Sequence, residues 1–176
     1  MFEILLGDEE PVIDYFLDTA YDKDNGRNDP SVILACTKIK ENLYVTGVSQ
    51  VWMELPQFLV HLENYTKQTG YTSRSRIMVE GASTGKPIVQ IFKTTSLNVI
   101  EVKIPQANKG ARLNAISAKV EAEGKVNFVQ GSWNSLAISE ICYTAKHDDI
   151  ADAFIMAVIE KLIKSRNHGK YNISII

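Results

Sequence analysis

The sequence predicts an α/β domain: a mixed sheet that opens as an antiparallel meander, continues in parallel strands and carries helices on both faces. Three observations lead there. Three β-branched and aromatic runs follow one another between residues 11 and 52. After Trp52 the apolar period lengthens from two residues to between three and four. Beyond that point short apolar runs alternate with helical stretches, the pattern of strands whose connections pack back onto a sheet.

Each element has its own local reason. Residues 11–20 read as a strand ending near Asp18. Residues 21–30 follow as a polar connection, with Asp24-Asn25-Gly26 and Asn28-Asp29-Pro30 as turn signals. Residues 31–39 and 42–52 are two more strands joined by Lys40 and Glu41. Leu55, Phe58, Leu59, Leu62 and Tyr65 then recur at helical spacing, and Gly70 stands where a helix C-terminus favours glycine. Residues 76–80 form a short buried strand, followed by a helix through Ile88, Ile91 and Phe92. A strand over 96–104, a helix over 109–123 closed by Gly124 and a short strand over 125–130 come next. The last helix runs from about Asp149 to Lys164, with Ile150, Phe154, Ile155, Val158, Ile159 and Leu162 on its buried face. Residues 165–176 carry no assignment.

Composition bounds the function. The chain has 176 residues, is 45% hydrophobic and 23% charged, and so can bury a core within one domain. No apolar run approaches the roughly 20 residues of a membrane span. The first ten residues lack the basic flank of a signal peptide. Cys36 and Cys142 read as reduced thiols, and neither has partners at a zinc-finger spacing. An intracellular protein is the expectation. The net charge of −2 is unevenly spread, −7 over residues 1–70 and +5 over the rest. Such a division is either mixed solvated surface or a basic surface beside an acidic centre, suited to a polyanion.

Three acidic features sit at element boundaries. Asp18 ends the first strand, Glu80 ends the fourth, and Asp148, Asp149 and Asp152 open the last helix. If the first and fourth strands are parallel neighbours, Asp18 and Glu80 emerge together at the carboxyl edge, where open α/β sheets bind ligands. Asp152 lies four residues from Asp148 and three from Asp149, so each pair shares a helix face. Clustered carboxylates repel one another unless a cation neutralises them, and their hard oxygens favour Mg²⁺ or Mn²⁺ over zinc. Taken singly, Asp148 or Asp149 is equally a plain helix cap, and Asp18 and Glu80 plain strand ends. His147 adjoins the acids, as a proton or phosphate partner or a packing residue. Trp52 and Trp133 read as packing residues rather than base-stacking platforms, and no Gly-x-Ser-x-Gly elbow is present.

These residues also stand in a familiar order. Leu17-Asp18-Thr19-Ala20 followed by Gly26-Arg27-Asn28-Asp29-Pro30-Ser31 resembles the opening strand and hairpin of phage terminase large-subunit nuclease domains. Val79-Glu80-Gly81-Ala82-Ser83-Thr84-Gly85 resembles their second acidic strand, and Lys109-Gly110-Ala111-Arg112 the basic helix start. Gly124-Lys125-Val126 resembles the short strand after that helix. His147-Asp148-Asp149-Ile150-Ala151-Asp152-Ala153 resembles the closing acidic helix. The similarity spans about residues 11–165.

The resemblance implies a ribonuclease-H-like fold and a DNA endonuclease with two Mg²⁺ or Mn²⁺ ions. Such an enzyme would cut double-stranded DNA with low sequence specificity. Asp18, Glu80, Asp148 and Asp149 would be catalytic metal ligands, with Asp152 a further ligand or a support. Junction resolvases of the same superfamily carry an Asp-x-x-Asp pair that Asp149 and Asp152 match. Lys109 and Arg112 would contact backbone phosphates, or be ordinary exposed helix charge. The implied partners are DNA, a terminase ATPase domain, the small subunit and the portal, in the bacterial cytoplasm of a phage or prophage host.

A whole large subunit carries an ATPase motor ahead of its nuclease. The segment Gly81 to Pro87 is one residue short of a phosphate loop and has Pro87 in place of the hydroxyl, so ATP binding is not expected. The reading is then a single nuclease domain over residues 1–176, with 166–176 a tail. Two alternatives accompany it: a junction-resolving nuclease, and a non-catalytic module that docks on DNA or a portal.

Overall fold

β1 (Asp14–Asp18) lies inside a six-stranded sheet, and its alternation explains the layers on either side. Phe16 points to one face and Tyr15 and Leu17 to the other, and all three are buried. The computed structural model describes residues 10–20, 29–81, 85–92, 96–104, 109–142 and 148–164, without the side chains of 85–88, 109 and 118–119. The expected turn over 21–28, the interior of the loop at 82–84, His147 and the tail over 166–176 lie outside the described residues.

β2 (Ser31–Ile39) and β3 (Asn42–Val51) complete the antiparallel meander with β1, turning through Lys40 and Glu41. Lys40 has φ +54, a backbone region that favours Gly or Asn. β4 (Ile77–Glu80) pairs parallel with β1, and β5 (Val99–Val102) parallel with β4. β6 (Val126–Phe128) pairs parallel with β3, which gives the order β5-β4-β1-β2-β3-β6. β5 and β6 are shorter than the runs expected over 96–104 and 125–130. Both are edge strands with a single neighbour, so the length of that pairing limits them.

The helices occupy both faces. α1 (Leu55–Gln68) and α2 (Gly85–Phe92) cover one, where Phe58, Leu62 and Phe92 pack on Tyr15, Leu17, Ile33, Ile77 and Val79. Gly70, at φ +92, takes the left-handed turn after α1. α3 (Lys109–Ser117), continued by a π-helical turn over Ala118–Ala122, lies on the other face with α4 (Asn134–Cys142) and α5 (Asp149–Val158). α5 also continues as a π-helical segment, Ile159–Lys164. It is buried on nearly every side, from Asp149 through Val158 except Asp152, because sheet, α3 and α4 all pack around it. Among the described residues no helix is long and apolar enough to cross a membrane.

α4 has no counterpart among the expected elements. Its apolar residues do not trace the buried face: Leu136 and Ile138 are 43% and 42% exposed, while Ala137 and Glu140 are buried. An acid inside and large apolar residues outside invert the pattern that marks an amphipathic helix.

Two close approaches bind these layers. Asp14 is buried and accepts Arg76 through its backbone N–H (2.8 Å), Nε (3.2 Å) and Nη2 (2.7 Å), and Lys161 through Nζ. One carboxylate thus joins the start of β1, the entry to β4 and the end of the last helix. At Gly47, in β3, an added Cβ would stand 2.6 Å from the Tyr65 hydroxyl on α1. Gly47→Ala is therefore expected to lower unfolding free energy by about 1–3 kcal/mol, as overpacking does, measured by urea denaturation.

Candidate active site

The parallel pairing of β1 with β4 is what brings the first two acids together. Leu17 is level with Val79, so one residue further along Asp18 stands beside Glu80 at the carboxyl end of both strands. Side chains alternate, and Phe16 and Met78 face α5, so Asp18 and Glu80 face it as well. α5 runs antiparallel to β1. Its start lies over Asp18, while Lys161, in its π-helical extension, reaches Asp14 at the opposite end of the strand. The first turn of α5 therefore delivers Asp149 and Asp152 to the same edge.

Electrostatics records that convergence. Burial pushes the Asp18 carboxyl up to about 7, and the negative charges of Asp152, Asp149 and Glu80 push in the same direction. The Thr19 backbone N–H opposes them by donating to the carboxylate. Asp149 is pushed up to about 6, first by burial and then by Asp29, with Asp148 and Glu140 adding to it. Asp149 is 9% exposed, and its Oδ2 has no hydrogen-bond partner among the described residues. A buried carboxylate oxygen left in that state costs about 1–3 kcal/mol or more, since charged groups exceed neutral ones.

The other expected residues are placed as follows. Asp148 is the exposed N-cap of α5 and makes no side-chain capping bond. Asp152 pairs with Arg112 at 3.1 Å, the two side chains being 20% and 17% exposed. Arg112 is thus turned inward on an acid of the cluster, and it is not an outward basic residue of α3. Lys109 opens α3, and its side chain lies outside the described residues.

Two acids near the cluster escaped sequence reasoning. Asp29 acts on Asp149 through space, but in sequence it belongs to a turn signal beside Pro30 and to the hairpin resemblance, neither of which marks it as a site acid. Glu140 lies in the helix whose pattern is inverted. It accepts Gln50 Nε2 at 2.7 Å and the Ile150 N–H at 3.2 Å. The signal that existed for it was a lone acid three residues from Ala137, in a short run that also holds Ile138 and Ile141.

The donor set fits a divalent cation. All the converging side chains are carboxylates, the hard oxygen ligands such ions prefer, and Asp149 Oδ2 is buried without a partner among the described residues. Among the described residues no group of three or more His, Cys, Asp or Glu side chains is gathered closely enough to hold a metal ion as it stands. Two concavities lie elsewhere. One of about 450 Å³ is lined by Asp14, Lys38, Lys40, Arg74 and Arg76, at the far end of β1. The other runs along α1 beside Val60 and His61.

No protein-family model and no curated protein matches the sequence. Solved structures do match. The large terminase nuclease of thermophilic phage G20c with bound magnesium is 12% identical, with a TM-score of 0.63 over 84% of this chain and 80% of that one. The nuclease domain of the Thermus phage P74-26 large terminase is 12% identical, with a TM-score of 0.61 over 85% and 80%. The human cytomegalovirus terminase nuclease domain, manganese-soaked and inhibitor-bound, is 14% identical, with a TM-score of 0.59 over 84% and 81%. The fold is that of the terminase nuclease domains. The mixed sheet with helices on both faces is thus the ribonuclease-H-like arrangement that the order of motifs implied.

Proposed function

We propose that this chain is a divalent-metal-dependent DNA endonuclease of the phage terminase kind, acting in the cytoplasm of a bacterial host. The observation that carries the reading is the convergence of Asp18, Glu80, Asp149 and Asp152 at one sheet edge, in a fold shared with terminase nucleases. Packed like charges serve no docking surface, whereas they are what a cation site requires. Neighbours in the same fold hold magnesium or zinc, or were soaked with manganese, which supports a divalent cation here.

Asp18, Glu80, Asp149 and the exposed Asp148 would hold Mg²⁺ or Mn²⁺, two ions in the full arrangement. When bound, such ions supply water activation and stabilise the departing 3′ oxygen of a phosphodiester. The protein's own contribution is to gather the acids on rigid elements, β1, β4 and the first turn of α5. Arg112 holds Asp152 in place and neutralises it until a cation competes for Asp152 or a phosphate for Arg112. Lys109 contacts the DNA backbone, a contact that positions the duplex without reading bases. An ATPase motor, a small subunit and a portal are the partners that the terminase reading implies.

Cleavage of supercoiled plasmid tests the proposal. Nicking and linearisation are expected with Mn²⁺ or Mg²⁺ and none with EDTA. No cleavage with either ion by folded protein that still binds duplex DNA would overturn the endonuclease reading and leave the docking module. Cleavage confined to four-way junctions would instead identify a junction-resolving enzyme. Lys109→Ala is expected to weaken duplex binding about fivefold and to reduce the salt slope by about one charge, measured by titration at several salt concentrations.

A further inference from the structure

Helix α5 carries Asp149 and Asp152, yet its N-terminus is not closed by the residue that precedes it. Asp148 makes no side-chain capping bond. The Ile150 N–H, one of the amides that helix geometry leaves without an internal acceptor, donates instead to Glu140 Oε2 at 3.2 Å. Glu140 comes from α4, and its Oε1 accepts Gln50 Nε2 of β3 at 2.7 Å. The side chain is buried, 6% exposed, so neither bond is shared freely with solvent.

We propose that Glu140 is a positioning residue: it caps α5 from a neighbouring helix, fixes the first turn, and so aims Asp149 and Asp152 at the sheet edge. The usual cap is the side chain of the residue just before the helix, and here that residue is an aspartate. Here Glu140 takes that duty, and with the first turn so fixed Asp149 and Asp152 face Asp18. The anchor is rigid because Gln50 sits on β3, which is hydrogen-bonded to β2 and through it to β1, the strand that bears Asp18. Asp149 Oδ2, buried and without a partner among the described residues, is the atom this arrangement leaves available. The functional half of the inference rests on the metal-dependent reading above; the capping half does not.

The test compares Glu140→Ala with Glu140→Gln in the whole chain. Glutamine can keep both bonds if Gln50 turns its amide over, and it removes the charge. In metal-free protein, amide hydrogen exchange at Ile150 is expected to rise at least tenfold in Glu140→Ala and to stay within about threefold of wild type in Glu140→Gln. Calorimetric Mn²⁺ affinity is expected to fall about 10–100-fold in Glu140→Ala, as when the support of a metal ligand is lost, and to be rescued by Glu140→Gln. If Glu140→Ala does not fold, Glu140→Met, similar in length and without a strong acceptor, serves in its place. Unchanged Ile150 exchange in the alanine variant would overturn the proposal. So would a glutamine variant as impaired as the alanine one, because charge and not the bond would then matter. A wild-type chain that binds no Mn²⁺ would sink the endonuclease reading, while Ile150 exchange would still decide the cap.

Discussion

Asp18→Asn is expected to abolish metal-dependent plasmid cleavage and, in the absence of metal, to make the protein more stable. The first effect follows from the position of Asp18 between Glu80 and the acids of α5. Removing one charged ligand from such a centre is expected to slow cleavage on the order of 1,000-fold, about 4 kcal/mol of transition-state stabilisation. The second follows from its carboxyl being pushed up to about 7 by burial and by Asp152, Asp149 and Glu80.

The sign of the pH dependence is fixed by that direction. An acid whose folded value is raised binds more protons folded than unfolded, so stability declines as pH rises from about 4 to about 7 and is then level. Asp149, pushed up to about 6, slopes the same way, and the two titrate as a coupled set. Asn cannot ionise, so the variant loses most of the Asp18 contribution. Its melting temperature in EDTA is expected to exceed that of wild type by on the order of 5 °C at pH 8 and to match it near pH 4. Added Mn²⁺ is expected to reverse the order, because it stabilises only the chain that binds it. Thermal melts at three pH values, with and without metal, read all of this. A variant that cleaves normally and melts like wild type at pH 8 would remove Asp18 from the centre.

Asp14→Ala is expected to cost the most stability of any single charge removal at the far end of the sheet. Asp14 is buried, and Arg76 and Lys161 both donate to it. Truncation leaves two cations facing a gap and the Arg76 backbone N–H without its acceptor. Breaking a buried pair on one side costs about 3–5 kcal/mol, on the order of 10 °C in a chain of this size. Asp14→Asn can still accept the Arg76 amide and is expected to lose less. Mn²⁺ affinity is expected to be unchanged in both, because four residues of strand put Asp14 about 13 Å from Asp18. Urea denaturation and calorimetry separate the two quantities. A loss of metal affinity equal to that of Asp18→Asn would show that the ends of β1 are not independent.

Much of the framework is legible along the chain because each element is marked locally. β2 and the start of α1 fall on the expected residues, and the positive φ of Gly70 and Gly124 lies where glycines were read as helix ends. The two edge strands shrank because their length depends on what a single neighbour offers, which no local pattern encodes. α4 was invisible for a different reason: Leu136 and Ile138 face outward and Glu140 inward, so hydrophobic period misreports its buried face. Arg112 likewise looked like a surface cation beside Lys109. Its partner, Asp152, is 40 residues away, and only packing of α3 on α5 brings them within 3.1 Å.

By itself, then, the sequence determined the class of fold, the order of the strands and of every helix but α4, and the fact that Asp18, Glu80 and the Asp148–Asp152 turn stand at element ends. All of these follow from neighbours within a few residues, through apolar period, turn chemistry and glycine. Only the tertiary structure decided which acids meet, which are already neutralised and which residue closes the helix that carries them. Asp18 meets Asp149 and Asp152, Arg112 answers Asp152, Lys161 answers Asp14, and Glu140 caps α5. Each of those pairings acts through space between separate elements, Asp14 and Lys161 being 147 residues apart, and its strength depends on burial that exists only once the chain has packed.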